Sequence, residues 1–175
     1  MNDVQADVVV RRVEAHEDVV YRAVRLECLQ LYPANFGTTL AEALSTPRTP
    51  FENFIAEQNP DNVMFGAFVD GTLGGLCGFH REPRQRARHR GELIQMYVAP
   101  RLAKRGIGGR LIAAVLDHAF ENPGIRHVVL SVVADNTTAI RAYERAGFRE
   151  YGRLEGYFLS ENGASTQLWM VRERD

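Results

Sequence analysis

Residues 100–110 read Pro-Arg-Leu-Ala-Lys-Arg-Gly-Ile-Gly-Gly-Arg, and the run joins a strand-like segment directly to a helix-like one. Glycines at 106, 108 and 109 remove the side chains that would hold a ligand away from the backbone. The start of a helix presents backbone N–H groups without intrahelical partners, together with a partial positive charge. The combination makes an anion site, to which Lys104, Arg105 and Arg110 add full charges. The same residues would also serve as a simple tight turn. No Gly-Lys-Ser/Thr follows, which removes a Walker-type phosphate loop. A dinucleotide fingerprint is disfavoured as well, because several strand-like segments precede the turn and no acidic ribose partner closes the next one.

A second block lies further on, Asn136-Thr-Thr-Ala-Ile-Arg-Ala-Tyr-Glu-Arg-Ala-Gly-Phe148. With the strand-like run 92–98 and the glycine turn, it closely resembles the GNAT superfamily of N-acetyltransferases. That family shows a strand ending in Val-x-Pro, then Gln/Arg-x-x-Gly-x-Gly/Ala, then Asn-x-x-Ala-x-x-x-Tyr-x-x-x-Gly-Phe. The likeness covers residues 92–148 at ordinary spacing, and residues 25–37 also look like the first-helix region of bacterial members. One position departs: Ala103 stands where the family usually has Gln or Arg, with Lys104 and Arg105 beside it. Cofactor binding is expected to survive this, because the site works mainly through backbone amides.

The resemblance implies transfer of an acetyl group from acetyl-CoA to a primary amine by direct attack. Such a reaction has two proton problems. A lysine-like amine, with a pKa of about 10.4, must lose its proton to attack, and a thiol of pKa about 8.5 leaves best with a proton supplied. Donors must also face the carbonyl oxygen, where negative charge develops. By resemblance Tyr143 supplies the proton to the departing sulfur; read alone, it is also a packing residue of an amphipathic helix. Asn136 is a helix N-cap, a contact of the cofactor arm, or both. Glu92 is the candidate general base, against the alternative of an exposed strand-end carboxylate, and Gln95 or Tyr97 offers a water relay instead. The family's carbonyl donor, a backbone amide at a bulge late in the strand, maps onto Met96, Tyr97 and Val98. The expected cofactor contacts are these three, Lys104, Arg105, Gly106, Ile107, Gly108, Gly109, Asn136 and Tyr143. Tyr32, Phe36, Tyr151, Tyr157 and Phe158 are expected to line the acceptor pocket.

The elements that must position these residues follow from local pattern. Residues 8–13 read as a strand, and 16–31 as an amphipathic helix with Val20, Val24, Leu26 and Leu31 on its apolar side. A second helical region follows Pro47 and Pro50, with Phe51, Phe54 and Ile55 on one face. Residues 62–69 and 73–79 flank Asp70-Gly71, a hairpin signal. Residues 92–98 form a strand, 106–120 a helix, 128–133 a buried strand, and 137–146 a helix closed by Gly147. Two more strands flank Glu161-Asn-Gly163. The whole chain, 1–175, reads as one mixed α/β domain; the resemblance implies a central, mostly antiparallel mixed sheet flanked by helices, an α+β arrangement.

The bulk properties narrow the function further. A net charge of −1 offers no overall field for nucleic acid or an anionic membrane. No apolar run approaches the roughly 20 residues of a membrane-crossing helix. The first seven residues are acidic and lack a secretion signal, so a cytoplasmic location with Cys28 and Cys77 as reduced core thiols is expected. The five histidines are not spaced with Cys, Asp or Glu as metal ligands, so no metal is expected. Arg81, Arg84, Arg86, Arg88 and Arg90 crowd one loop, without interleaved aromatic residues to stack on bases. The alternatives to an enzyme are therefore a non-catalytic acyl-CoA-binding module, which would not need Tyr143, or a nucleic-acid-associated protein using that loop. The enzyme reading takes a small-molecule amine or a peptide N-terminus as acceptor and, by resemblance, a homodimer.

Overall fold

A computed structural model describes residues 7–160 and 163–175. The acidic N-terminal residues before Asp7, and Glu161 and Asn162 of the expected last turn, lie outside the described residues. The strands are β1 (Val8–Arg12), β2 (Asn62–Val69), β3 (Thr72–Arg81), β4 (Arg90–Val98), β5 (His127–Val133), β6 (Arg149–Ser160) and β7 (Gly163–Glu173). They form one seven-stranded sheet in the order β1-β2-β3-β4-β5-β7-β6, in which only β4 and β5 run parallel. The helices are α1 (Asp18–Leu31), α2 (Leu40–Ser45), α3 (Pro50–Glu57), α4 (Ile107–Glu121) and α5 (Thr137–Arg145). The mostly antiparallel sheet with flanking helices agrees with the architecture expected above.

Local chemistry accounts for most boundaries. Asp70 and Gly71 both take positive φ, 49° and 78°, as a type I′ turn between β2 and β3 requires. Thr39 with Glu42, and Thr49 with Glu52, form capping boxes at the starts of α2 and α3. The α2 box is the signal for a short helix that periodicity alone does not reveal. In α1 the buried side chains are Tyr21, Val24, Cys28 and Leu29, whereas Val20 and Leu31 are about half exposed. The inward stripe is thus rotated from the expected one, because burying the Tyr21 ring outweighs burying a Val at the neighbouring position.

Alternation along the strands separates two cores. Cys77, Phe79, Leu93, Val128, Leu130, Leu168 and Met170 pack beneath α4 and α5. Met64, Phe68, Leu73, Leu76 and Tyr97 face the other way, against Tyr21, Val24 and Cys28 of α1 and Ile55 of α3. This second core takes nothing from β5, β6 or β7. The second core therefore lies over β2, β3 and β4 only.

The parallel β4–β5 ladder is short. It pairs Arg90, Gly91 and Glu92 with His127, Val128 and Val129 and then ends, although both strands continue. Beyond Glu92 the two strands part and open a wedge in mid-sheet. β4 also carries a bulge: Leu76 pairs with Tyr97 but Gly78 with Ile94, so Cys77 faces two residues, and Gln95 takes φ 53°.

Candidate active site

The glycine turn sits at the mouth of this wedge. Pro100 opens a 3-10 turn, Lys104 adopts φ 62°, and Gly106 caps α4 at φ 70°, a conformation that disfavours most side chains. A Cβ built on Gly109 would meet nothing within 4 Å, so no packing requirement explains a glycine there. The first helical turn faces open space with the amides that α4 itself leaves unpaired. Arg110 is directed elsewhere: its guanidinium donates to the Val8 carbonyl at 2.8 Å, so β1 rather than the turn receives it. Lys104 and Arg105 remain at the turn.

From the turn a cavity of about 530 Å³ runs into the wedge. Lys104, Arg105, Gly106, Ile107, Gly108 and Gly109 line its mouth, and Met96, Tyr97 and Val98 line the β4 wall. Asn136 and Tyr143 close it from the α5 side. All the cofactor contacts expected from the sequence thus border one space. Asn136 caps α5, its side chain accepting from the Ala139 amide at 3.2 Å, and it borders the cavity as well.

A second cavity, of about 260 Å³, adjoins the first on the β5–β7 side. It is lined by Glu92, Ile94, Ser131, Gln167, Tyr157 and Phe158, among others. Phe36, Met96, Asn136 and Tyr143 belong to both linings. Tyr143 therefore stands where the two spaces meet. Its side chain is 5% exposed, stacked edge-on against Phe148 at 5.9 Å, and burial pushes its phenol pKa well up. The hydroxyl stays protonated.

Glu92 is not an exposed strand-end carboxylate. It lies between His80 on β3 and Val129 on β5, largely desolvated, and this burial raises its pKa against the weaker opposing pull of His80 and Arg90. The two alternative water carriers are otherwise engaged: Gln95 Oε1 accepts from the Tyr21 hydroxyl at 2.7 Å, and the Tyr97 hydroxyl donates to Glu27 at 2.6 Å.

Three acceptor-side aromatics come together and two do not. Phe36, Tyr157 and Phe158 line the smaller cavity, Tyr32 lines the larger one, and Tyr151 is about half exposed and borders neither. The reason is a register break in β6: Leu154 pairs with Gln167 but Phe158 with Ser165, and Gly156 between them takes φ 68°. That bulge folds Tyr157 and Phe158 over the cavity, with Tyr157 edge-on to Phe158 and Trp169. Ser131, which lacks the Gly-x-Ser-x-Gly context of a hydrolase nucleophile, and Gln167, which local pattern does not single out, also line this cavity. Gln167 is 5% exposed, and its Oε1 is buried with no hydrogen-bond partner. A buried acceptor without a partner costs about 1–3 kcal/mol.

The remaining candidates resolve into ordinary structure. Arg81 and Arg88 pair with Asp61, and Arg84 and Arg90 with Glu82, so four of the loop's arginines are tied down in place, two to each carboxylate. Cys28 and Cys77 are free, buried thiols with raised pKa values. Among the described residues no group of three His, Cys, Asp or Glu is placed to hold a metal, and no helix is long and apolar enough to cross a membrane.

Comparison with known proteins decides what kind of fold surrounds these cavities. The model of the Acetyltransferase (GNAT) family matches residues 26–148. The chain belongs to that family. An N-alpha-acetyltransferase, RimI, of Mycobacterium tuberculosis is 35% identical over 100 residues, 57% of this chain and 60% of that protein. An acetyltransferase of the GNAT family from Streptococcus pneumoniae superposes with TM-score 0.80 at 20% identity, over 97% of this chain and all of that one. A putative acetyltransferase from Salmonella typhimurium, solved with its cofactor acetyl-CoA, superposes with TM-score 0.78 at 16% identity, over 97% and 95% of the two chains. The chain spans only 28% to 53% of the length of the first curated relatives it matches.

Proposed function

We propose that this protein transfers the acetyl group of acetyl-CoA to a primary amine, by direct attack within a complex holding both substrates. The observation that carries this reading is that a cavity leading from the glycine-lined start of α4 meets a second cavity holding a largely desolvated carboxylate, and that Tyr143 stands at the junction. Family membership and the acetyl-CoA in a structural neighbour support the cosubstrate.

In this mechanism the amides at the start of α4, with Lys104 and Arg105, take the pyrophosphate. The thioester then lies along the open edge of β4. Glu92 accepts the proton that the ammonium must shed before attack; burial has raised its affinity for a proton, which makes it a stronger base than an ordinary carboxylate. A backbone amide beyond the bulge, among Met96, Tyr97 and Val98, faces the carbonyl oxygen as it gains charge. Tyr143 donates to the departing sulfur. Because burial keeps it neutral, it presents a hydrogen rather than a negative charge to the nascent thiolate. Water returns a proton from the acylated nitrogen to Tyr143, so free thiol, amide and one net proton are released.

The acceptor is a small amine or a peptide N-terminus; the relatives carry names for spermidine, mycothiol and N-alpha acetylation. A cytoplasmic location and a homodimer complete the reading. The test is thiol release from acetyl-CoA across a panel of primary amines and peptides. Saturable, amine-dependent release supports it, whereas tight acetyl-CoA binding with no release from any acceptor would leave a binding module.

A further inference from the structure

The smaller cavity carries information about the acceptor that the transfer chemistry does not use. Its lining holds one ionisable carboxylate, Glu92, and no Lys, Arg or His among the described residues. Glu92 itself makes no ion pair with any described residue; its cross-strand neighbour His80 and Arg90 lower its pKa by less than burial raises it. The other polar side chains are the hydroxyls of Ser131, Tyr143 and Tyr157 and the carboxamides of Asn35, Asn136, Gln95 and Gln167. Asn136 and Gln95 are engaged, as a helix cap and as acceptor for Tyr21. Gln167 is not. It sits on β7 between Val133 of β5 and Leu154 of β6, almost fully buried, with its oxygen unpartnered. Phe36, Tyr157 and Phe158 supply aromatic faces and edges around it.

We propose that Gln167 is an acceptor-binding residue, its carboxamide oxygen taking one N–H of the substrate ammonium in a cavity whose one charged side chain among the described residues is Glu92, and that the cavity admits primary amines without a neighbouring carboxylate while rejecting free α-amino acids. The sign of the cavity dictates the choice. A carboxylate beside the reacting nitrogen would enter a space that holds one like charge and no cation to pair with it, and both desolvation and repulsion oppose that. An ammonium finds an unpartnered oxygen at Gln167, the negative charge of Glu92 in the same cavity, and an aromatic wall of the kind that attracts cations. An ammonium N–H supplies the hydrogen bond that this oxygen lacks.

This inference rests on the acetyl-transfer reading, so its test separates the two. Full-length protein and acetyl-CoA are assayed with phenylalanine, phenylalanine amide and 2-phenylethylamine, which share a side chain and differ in the carboxylate. The amide and the amine are expected to exceed the free acid in kcat/KM by at least about tenfold, the scale of one hydrogen bond to a charged group. Gln167→Leu, which keeps the volume and removes the acceptor, is expected to raise KM for both by about tenfold with kcat far less affected. Gln167→Glu, which keeps an oxygen acceptor, should recover part of that loss. Coenzyme A affinity unchanged in both variants, with a melting temperature in Gln167→Leu equal to the parent's or higher, excludes misfolding as the cause. Preference for free phenylalanine, or an unchanged KM in Gln167→Leu, overturns the inference. If no acceptor releases thiol, the same three compounds are titrated into the coenzyme A complex: Gln167-dependent binding of the amide and amine upholds the inference while the transfer reading falls, and absent or Gln167-independent binding overturns it.

Discussion

Replacing the Tyr143 hydroxyl by hydrogen removes one oxygen from a ring that Phe148 already holds in place, so Tyr143→Phe is expected to fold as the parent does. The hydroxyl has no hydrogen-bond partner among the described residues, and its absence strands nothing. Loss of a positioned proton donor typically costs on the order of 10²–10⁴ in rate. We expect kcat to fall by about 10²-fold or more, with acetyl-CoA affinity nearly unchanged; turnover at the parental rate removes Tyr143 from the chemistry. Glu92 makes a different prediction, about pH. Desolvation raises its pKa above 4.5, so its base form is lost as pH falls through that raised value. kcat/KM plotted against pH should therefore decline on the acid side at a pH above the ordinary carboxylate range, and rise towards a plateau as pH increases. Glu92→Gln should lower kcat/KM by about 10²-fold and abolish that acid limb. A profile in Glu92→Gln that keeps the limb of the parent assigns the base elsewhere.

At the scale of elements, the start of α4 separates binding from stability. Gly109 lies in the first turn of a helix, where a glycine is disfavoured by about 1 kcal/mol relative to alanine. Its Cβ position is open, so Gly109→Leu should leave the melting temperature unchanged or slightly higher. The same side chain would cover the amides that the pyrophosphate needs, and acetyl-CoA affinity should fall by about tenfold or more, the cost of one charge-assisted hydrogen bond. Equal affinity in calorimetry places the phosphates somewhere else. This turn was legible because everything it needs lies within ten residues of sequence, and the Asn136-to-Phe148 block was legible for the same reason. The face of α1 was not, because Val20 and Tyr21 are neighbours in sequence and only the packing against β3 and β4 selects between them. Glu92 read as a strand-end residue, since its burial comes from β5, more than thirty positions later. Tyr151 and Tyr157 are equivalent by composition; the bulge at Gly156 brings one to the cavity and leaves the other outside. Gln167 carried one weak signal, a polar residue entering an apolar run, but its neighbours come from β5 and β6.

For the molecule as a whole, the decisive feature is a sheet held together at its middle by three residue pairs. β1 to β4 form one half and β5 to β7 the other, and the second core lies over β2, β3 and β4 alone. Beyond Glu92, β4 keeps only β3 as a neighbour. In an antiparallel pair alternate residues turn their amides away from the partner strand, so from Ile94 to Val98 the amides not used by β3 face the wedge. Without a ligand they have water as partner and should exchange their hydrogens quickly. An acetyl-CoA arm lying in the cavity would act as the missing neighbour, taking those amides while its phosphates anchor at α4. Hydrogen exchange in 94–98 should therefore slow on adding coenzyme A, together with that of the α4 start at 106–109, while the hairpin of β2 and β3 stays unchanged. Stability should rise in step: at a ligand concentration of 100 times Kd, binding contributes about 2.7 kcal/mol, which for a domain of this size is a melting shift of several degrees. Protection confined to 106–109 would mean that only the phosphates bind in an ordered way. Protection spread evenly over all seven strands would mean that the two halves of the sheet are already coupled without the ligand. Protection in 94–98 and 106–109 alone identifies the ligand as the strand the wedge lacks.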